Sequence, residues 1–148
     1  MPPDYSKILV VDNAAFIRMV IRLRLQAVGV PPKKILEAGD GEEAYAILNA
    51  EQVGNILSDY EMDPMDGIQL AKKLFLEEKR SELRFVLFSG TPPEWVAAAM
   101  AHAGVEVPLV TKVNIRESWG SSQLIGEYFP ELAATLAHPP QSSRNKKG

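Results

Sequence analysis

The chain of 148 residues contains no cysteine, which excludes a disulfide framework and a thiolate metal centre and fits a reducing compartment. Histidine is almost as scarce. His102 falls in a helical pattern and His138 in a polar tail, and neither reads as a catalytic group. Neither sign of charge dominates: the formal net charge is −3, too small to favour nucleic acid or an anionic membrane. Long hydrophobic runs are missing too. The apolar stretch in MPPDYSKILVV is far too short for a signal-peptide core or a membrane span, so a cytoplasmic protein is expected. No glycine-rich turn follows that stretch: Asn13-Ala14-Ala15 stands where a nucleotide-binding fold wants glycines. Ala14 also stands where a phosphatase with an aspartyl nucleophile would carry its second acid. No internal repeat is visible. What is there, 46% hydrophobic and 24% charged residues, suits one globular domain with a sizeable core.

Five short, mostly β-branched apolar runs stand out: Ile8–Val11, Lys34–Leu36, Asn55–Leu57, Phe85–Phe88 and Val107–Val110. Uninterrupted runs of this length predict strands buried on both faces, as in a parallel sheet. Helical patterns separate them. Phe16, Val20, Leu23 and Ala27 share one apolar face, with Arg18 and Arg22 on another, and Gly29 with Pro31 and Pro32 stops that helix. Asp40 with Glu43 forms a capping box ahead of Ala44, Ile47 and Leu48, and Asp66 caps a helix that turns Ile68, Ala71, Leu74 and Phe75 inward. Thr91, Pro92 and Glu94 supply a cap, a first-turn proline and a box acid before the stripe Val96, Ala99, Met100 and Ala103, which Gly104 ends. The last pattern, Ile125, Tyr128, Phe129, Leu132 and Leu136, is interrupted by Pro130, which predicts a kink or two short helices. Five β-α repeats imply a doubly wound α/β fold: a five-stranded parallel sheet with right-handed crossovers and helices on both faces. The ending HPPQSSRNKKG reads as a disordered tail or a linker stump over 138–148, which leaves 6–137 as the domain.

In open parallel sheets ligands gather at the carboxyl ends of the strands. The first run ends in Asp12 and Asn13, the third in Ser58 and Asp59, the fourth in Ser89 and Gly90, the fifth in Thr111 and Lys112. Each has a plain reading alone: turn-forming acids, a loop serine, a solvated lysine. Together, two acids, a hydroxyl and a lysine on one sheet edge suit a divalent cation and a phosphoryl group. Mg²⁺ prefers oxygen ligands, typically one or two carboxylates with waters and phosphate oxygens, and Asp12 and Asp59 can supply them. Lys112 can pair with a phosphoryl oxygen and Ser89 can donate to another, while the Asp59 carboxylate attacks phosphorus to give an aspartyl phosphate.

The segments ILVVDNAAFIR, ILSDYEMDPMDGIQL, FVLFSG and LVTKV resemble, in order and spacing, the motifs of response-regulator receiver domains, across roughly residues 6 to 113. The resemblance implies a flavodoxin-like (β/α)5 fold with strand order 2-1-3-4-5. It implies Asp59 as phosphoacceptor from a histidine kinase or a histidine phosphotransfer protein. It makes Asp12 a holder of Mg²⁺, Ser89 the switch residue, Lys112 the phosphate-contacting lysine and the Glu61 backbone carbonyl a further metal ligand, with Asp66-Gly67 turning into the third helix. It also implies a downstream protein partner on the surface of the fourth helix, fifth strand and fifth helix, and it allows a second copy of the chain as partner. Trp95, Met100, Leu109 and Trp119 are candidates for that surface, beside the reading that the tryptophans and Met100 are ordinary packing.

The chain also departs from the family pattern. Asn13 replaces a second acid, which removes a charge and weakens a Mg²⁺ site. The Glu61 carboxylate stands two residues after the phosphoacceptor, where it can restore that charge or alter the lifetime of the phosphoryl group. The proline of the Met62-Asp63-Pro64 stretch is displaced by one position, Val113 replaces the proline after the lysine, and Leu109 replaces the usual aromatic switch. The competing reading is a receiver-like interaction module that no longer depends on phosphorylation. Beyond self-phosphorylation and its reversal, no enzyme activity is expected.

Overall fold

The computed structural model describes residues 2–111 and 122–136. Lys112, Val113, Trp119, His138 and the expected tail lie outside the described residues. Five strands form one parallel sheet in the order β2-β1-β3-β4-β5. They are β1 (Ile8–Val11), β2 (Ile35–Ala38), β3 (Asn55–Asp59), β4 (Arg84–Ser89) and β5 (Leu109–Thr111). Between and after them run α1 (Ala15–Ala27), α2 (Gly41–Ala50), α3 (Gly67–Lys72), α4 (Pro93–Ala103), α5 (Ser122–Tyr128) and α6 (Pro130–Ala134). Alternate residues of β1 explain the unbroken apolar run. Leu9 and Val11 join Leu48, Ile68, Leu74 and Val96 on one face of the sheet, and Ile8 and Val10 join Ile21, Leu25, Ile125 and Phe129 on the other.

Several expectations hold at the residue level. Asp40 caps α2, accepting from the Glu43 amide at 2.9 Å, although the Glu43 carboxylate takes the Gly39 amide in place of that of Asp40 and leaves the box half formed; Asp66 and Gln69 form a reciprocal capping box. Pro130 divides the last helical pattern into α5 and α6, and Gly104 ends α4 in the left-handed region at φ 81°. Others need correction. Lys34 ends a 3-10 turn rather than opening β2, and β5 begins at Leu109 because Val107 and Pro108 precede the ladder. Thr91 does not cap α4. The helix starts at Pro93 after Pro92, and no side chain caps it, because the Thr91 hydroxyl is turned to Glu61.

The largest correction concerns α1. Phe16 is 67% and Leu23 57% exposed, whereas Ile21 and Leu25 are buried with Ile17 and Val28 beside them. The helix carries two apolar stripes, and periodicity alone cannot choose between them. The arginines decide. Arg18 and Arg22 reach over the edge strand to opposite oxygens of Glu37, at 3.0 and 2.7 Å, and to the carbonyls of Asp12 and Ile35. That rotation turns Ile21 and Leu25 to the sheet and leaves Phe16, Met19 and Leu23 outside.

Burial pushes the Glu37 carboxyl up, but the hydrogen bonds of Arg22 and Arg18 outweigh it and hold the group below its ordinary range. A depressed carboxylate stabilises the fold above its unfolded pKa, about 4.3, and that contribution is lost as pH falls through the lower folded value. Glu37→Gln is therefore expected to cost about 1 kcal/mol in urea unfolding at pH 7, the scale of a half-exposed ion pair. The gap between variant and parent should close as pH falls below 4; a gap unchanged at acid pH would contradict the assignment.

At the amino ends of the strands, Asn55 is fully buried and its amide donates to the carbonyls of Tyr5 and Lys7 at 3.0 and 2.9 Å. The Tyr5 ring lies against Gly54, where a Cβ would meet it at 2.5 Å, and its hydroxyl donates to the Glu82 carbonyl. Arg84 covers that ring and makes a two-pronged pair with Glu131, which ties β4 to α6. Among the described residues no helix is long and apolar enough to cross a membrane.

Candidate functional site

The strand order places the topological switch between β1 and β3, where consecutive crossovers leave in opposite directions. Val11 is in register with Ser58, so Asp12 and Asp59 follow each other at adjacent strand ends. Asp59 pairs with Phe88, one residue before Ser89, and Ser89 pairs with Thr111. The result is a polar edge inside an apolar sheet: Asp12 is 1%, Asp59 2% and Ser89 1% exposed.

Each group is fixed from behind. The Asp12 amide donates to the Ala38 carbonyl at 3.0 Å, its carboxylate accepts from the Ala14 amide at 2.7 Å, and Arg18 donates to its carbonyl at 2.5 Å. Behind Asp59, the Tyr60 amide donates to the Phe88 carbonyl and the Gly67 amide returns to the Tyr60 carbonyl, which closes the loop from β3 to α3. Within that loop the Asp63–Pro64 peptide is cis. Gly67 is required by space: a Cβ there would lie 2.3 Å from the Asp59 carbonyl oxygen and 2.5 Å from a Leu87 methyl. Across the loop, the Gly41 amide at the start of α2 donates to the Met65 carbonyl.

Glu61 faces the end of β4. Its carboxylate accepts from the Ser89 hydroxyl at 2.6 Å and from the Thr91 hydroxyl, and the Thr91 amide donates to the Ser89 oxygen at 2.9 Å. Burial raises the Glu61 carboxyl, but the hydrogen bonds of the Ser89 and Thr91 hydroxyls prevail and hold it below the ordinary range, so it is an anion at neutral pH. Tyr60 beside it is pushed up, by burial first and then by the Asp66 and Glu61 charges.

The structure thus brings together Asp12, Asp59, Glu61 and Ser89, with Asn13 exposed at the rim, whereas Lys112 lies outside the described residues. Of the candidate partner-face residues, Trp95 is 66% exposed on α4, Leu109 is half-buried, and Met100 is core. Thr91 reads from the sequence only as a helix cap, and its contact with Glu61 was missed. Its only signal is its place two residues after Ser89, facing the residue two places after Asp59. Among the described residues no three acids or histidines cluster to hold a metal. Asp12 and Asp59 present two buried carboxylates at adjacent strand ends, oxygen donors of the kind a hard cation that keeps its own waters takes.

Residues 8–117 match the response regulator receiver domain family. A chemotaxis protein CheY homolog of Campylobacter jejuni is 33% identical over 82 residues, which cover 55% of this chain and 62% of that relative. The chain therefore spans less than two thirds of the length of that relative in the match. A response regulator receiver protein of Pseudomonas putida superposes with a TM-score of 0.61 at 27% identity, over 76% of this chain and 88% of that one. A CheY-like receiver domain of Methanospirillum hungatei has the same fold, with a TM-score of 0.67 at 22% identity over 86% of this chain and 96% of the other. The chain belongs to the response regulator receiver domain family of two-component signalling.

Proposed function

We propose that the protein is a phosphorylation-driven switch in which Asp59 accepts a phosphoryl group from a histidine kinase or a histidine phosphotransfer protein. The observation that carries this reading is the burial of Asp12, Asp59 and Ser89 at neighbouring strand ends of an otherwise apolar sheet. Buried polar groups unneeded for packing are costly unless the site uses them. In the transfer, an Asp59 oxygen forms a bond to phosphorus as the P–N bond of the phosphoimidazole breaks. The imidazole nitrogen leaves with the bonding pair and takes a proton from solvent.

Asp12 and Asp59, with the Glu61 carbonyl and the Asn13 amide, are the residues that would hold Mg²⁺. When bound, the ion neutralises phosphoryl oxygens against the carboxylate that approaches them. Ser89 and Lys112 contact the product phosphoryl group. The signal then passes from Ser89 through the loop to α4, β5 and the helix after it, the face that meets the downstream partner, without an aromatic switch at Leu109. The domain spans 6–137.

The exposed stripe of α1, Phe16, Met19 and Leu23, starts four residues after Asp12. We read it as the surface that the phosphohistidine-bearing partner covers. Leu23→Arg is expected to slow transfer from such a protein about tenfold or more, the loss of one buried apolar anchor, and to leave labelling by a small phosphodonor unchanged.

The decisive measurement is the intact mass after incubation with a small phosphodonor, with Mg²⁺ and with a chelator. One added phosphoryl group that requires the metal is expected; an unchanged mass rules the reading out. The Ser89 contact to Glu61 favours a second reading, a module that signals without phosphorylation, and the unchanged mass is the result it requires.

A further inference from the structure

We propose that Glu61 is the resting-state acceptor of the Ser89 hydroxyl, an internal latch that the phosphoryl group on Asp59 must displace. The inference rests on the phosphoacceptor reading of Asp59 and adds a competitor to it. A serine hydroxyl has one proton. Here that proton is given to Glu61 Oε2 at 2.6 Å, while the Ser89 oxygen accepts from the Thr91 amide at 2.9 Å. The Thr91 hydroxyl donates to the same carboxylate oxygen. Glu61 therefore binds the end of β4 at two points, and Ser89 is satisfied before any phosphoryl group arrives. Ser89 is 1% exposed, so water offers its hydroxyl no ready exchange.

To contact a phosphoryl oxygen, Ser89 has to give up Glu61, and the loop through Thr91 and Pro92 into α4 loses one of the two ties that Glu61 makes to the end of β4. Glu61 acts through Ser89: it is a positioning residue that opposes the switch. Its charge also lies near Asp59, so its removal would favour an incoming anion even without a latch. The two effects separate genetically. Simple repulsion persists when Ser89 lacks its hydroxyl, and the latch does not.

The probe is beryllofluoride with Mg²⁺, a tetrahedral phosphoryl analogue, titrated into the full chain while tryptophan fluorescence is followed. The four proteins are the parent, Glu61→Ala, Ser89→Ala and the double variant. Glu61→Ala alone is expected to lower the half-saturating beryllofluoride concentration about tenfold, the worth of one charge-assisted hydrogen bond. In the Ser89→Ala background the same change should shift it by no more than about twofold, because only weakened repulsion remains. Equal shifts in the two backgrounds, or none in the first, overturn the latch. A second measurement needs no phosphoryl analogue: hydrogen exchange of the Thr91 amide, held by the Ser89 oxygen, should quicken in Glu61→Ala. Unchanged exchange also overturns the latch. Quickened exchange with no beryllofluoride response in any of the four proteins overturns the phosphoacceptor reading, and the proposal falls with it.

Discussion

Asp59→Asn is expected to lose phosphoryl labelling to background while the protein becomes harder to unfold. Asparagine has the shape of aspartate but no nucleophilic carboxylate oxygen, so no aspartyl phosphate can form. The gain in stability comes from the same substitution. Asp59 is 2% exposed, follows Asp12 in register at the next strand end, and lies close to the Glu61 carboxyl, which is held as an anion. Crowding acids at a buried edge is unfavourable, and a neutral amide there is expected to add on the order of 1 kcal/mol at neutral pH, as like charges relax in a medium of intermediate dielectric. The check pairs intact-mass labelling with urea unfolding. Residual labelling at the parental level would move the phosphoacceptor elsewhere. A fall in stability would mean that the acid is there to hold the fold.

The second large effect is expected at Gly67. A Cβ at this position would lie 2.3 Å from the Asp59 carbonyl oxygen, and backbone cannot turn aside as a side-chain tip can. Gly67→Ala must then push α3 and β3 apart, at a cost of about 3 kcal/mol, the upper end for overpacking. It should also slow labelling about tenfold to a hundredfold, because a displacement of an ångström misaligns the nucleophile. Gly39→Ala is the contrast. Its Cβ would meet the flexible end of Glu43 at 3.3 Å, and a change under about 1 kcal/mol is expected. If both substitutions behave alike in urea unfolding, close approach is not why glycine stands at 67.

The parts of the molecule that sequence reasoning recovered share one cause. A strand covered on both faces leaves no room for polar residues, so Ile8–Val11 and Phe85–Phe88 are visible as unbroken runs, and the groups that follow them mark the functional edge. The same logic undershot the strand ends. Ser58 and Asp59 lie within β3 and Ser89 within β4, although polar residues read as terminators, because here the polar site is part of the ladder itself. The rotation of α1 was illegible for another reason. Two apolar stripes satisfy one periodicity, and the choice depends on Arg18 and Arg22 finding Glu37 some fifteen to nineteen residues away. The contacts of Glu61 with Ser89 and Thr91 span twenty-eight and thirty residues, a proximity that no local pattern encodes.

The contacts beneath β3 bear on where this domain can be cut. The span that matches the family opens at residue 8 and closes at 117. Physically the unit is wider at both ends. A chain trimmed to that span would strip the Asn55 amide of its two acceptors at Tyr5 and Lys7 and leave a cleft against Gly54. It would also remove Ile125, Phe129 and Leu132, each fully buried against the sheet. The span that matches the family is thus narrower than the segment that closes the core, and a fragment cut to that span would lack part of the fold that holds its site.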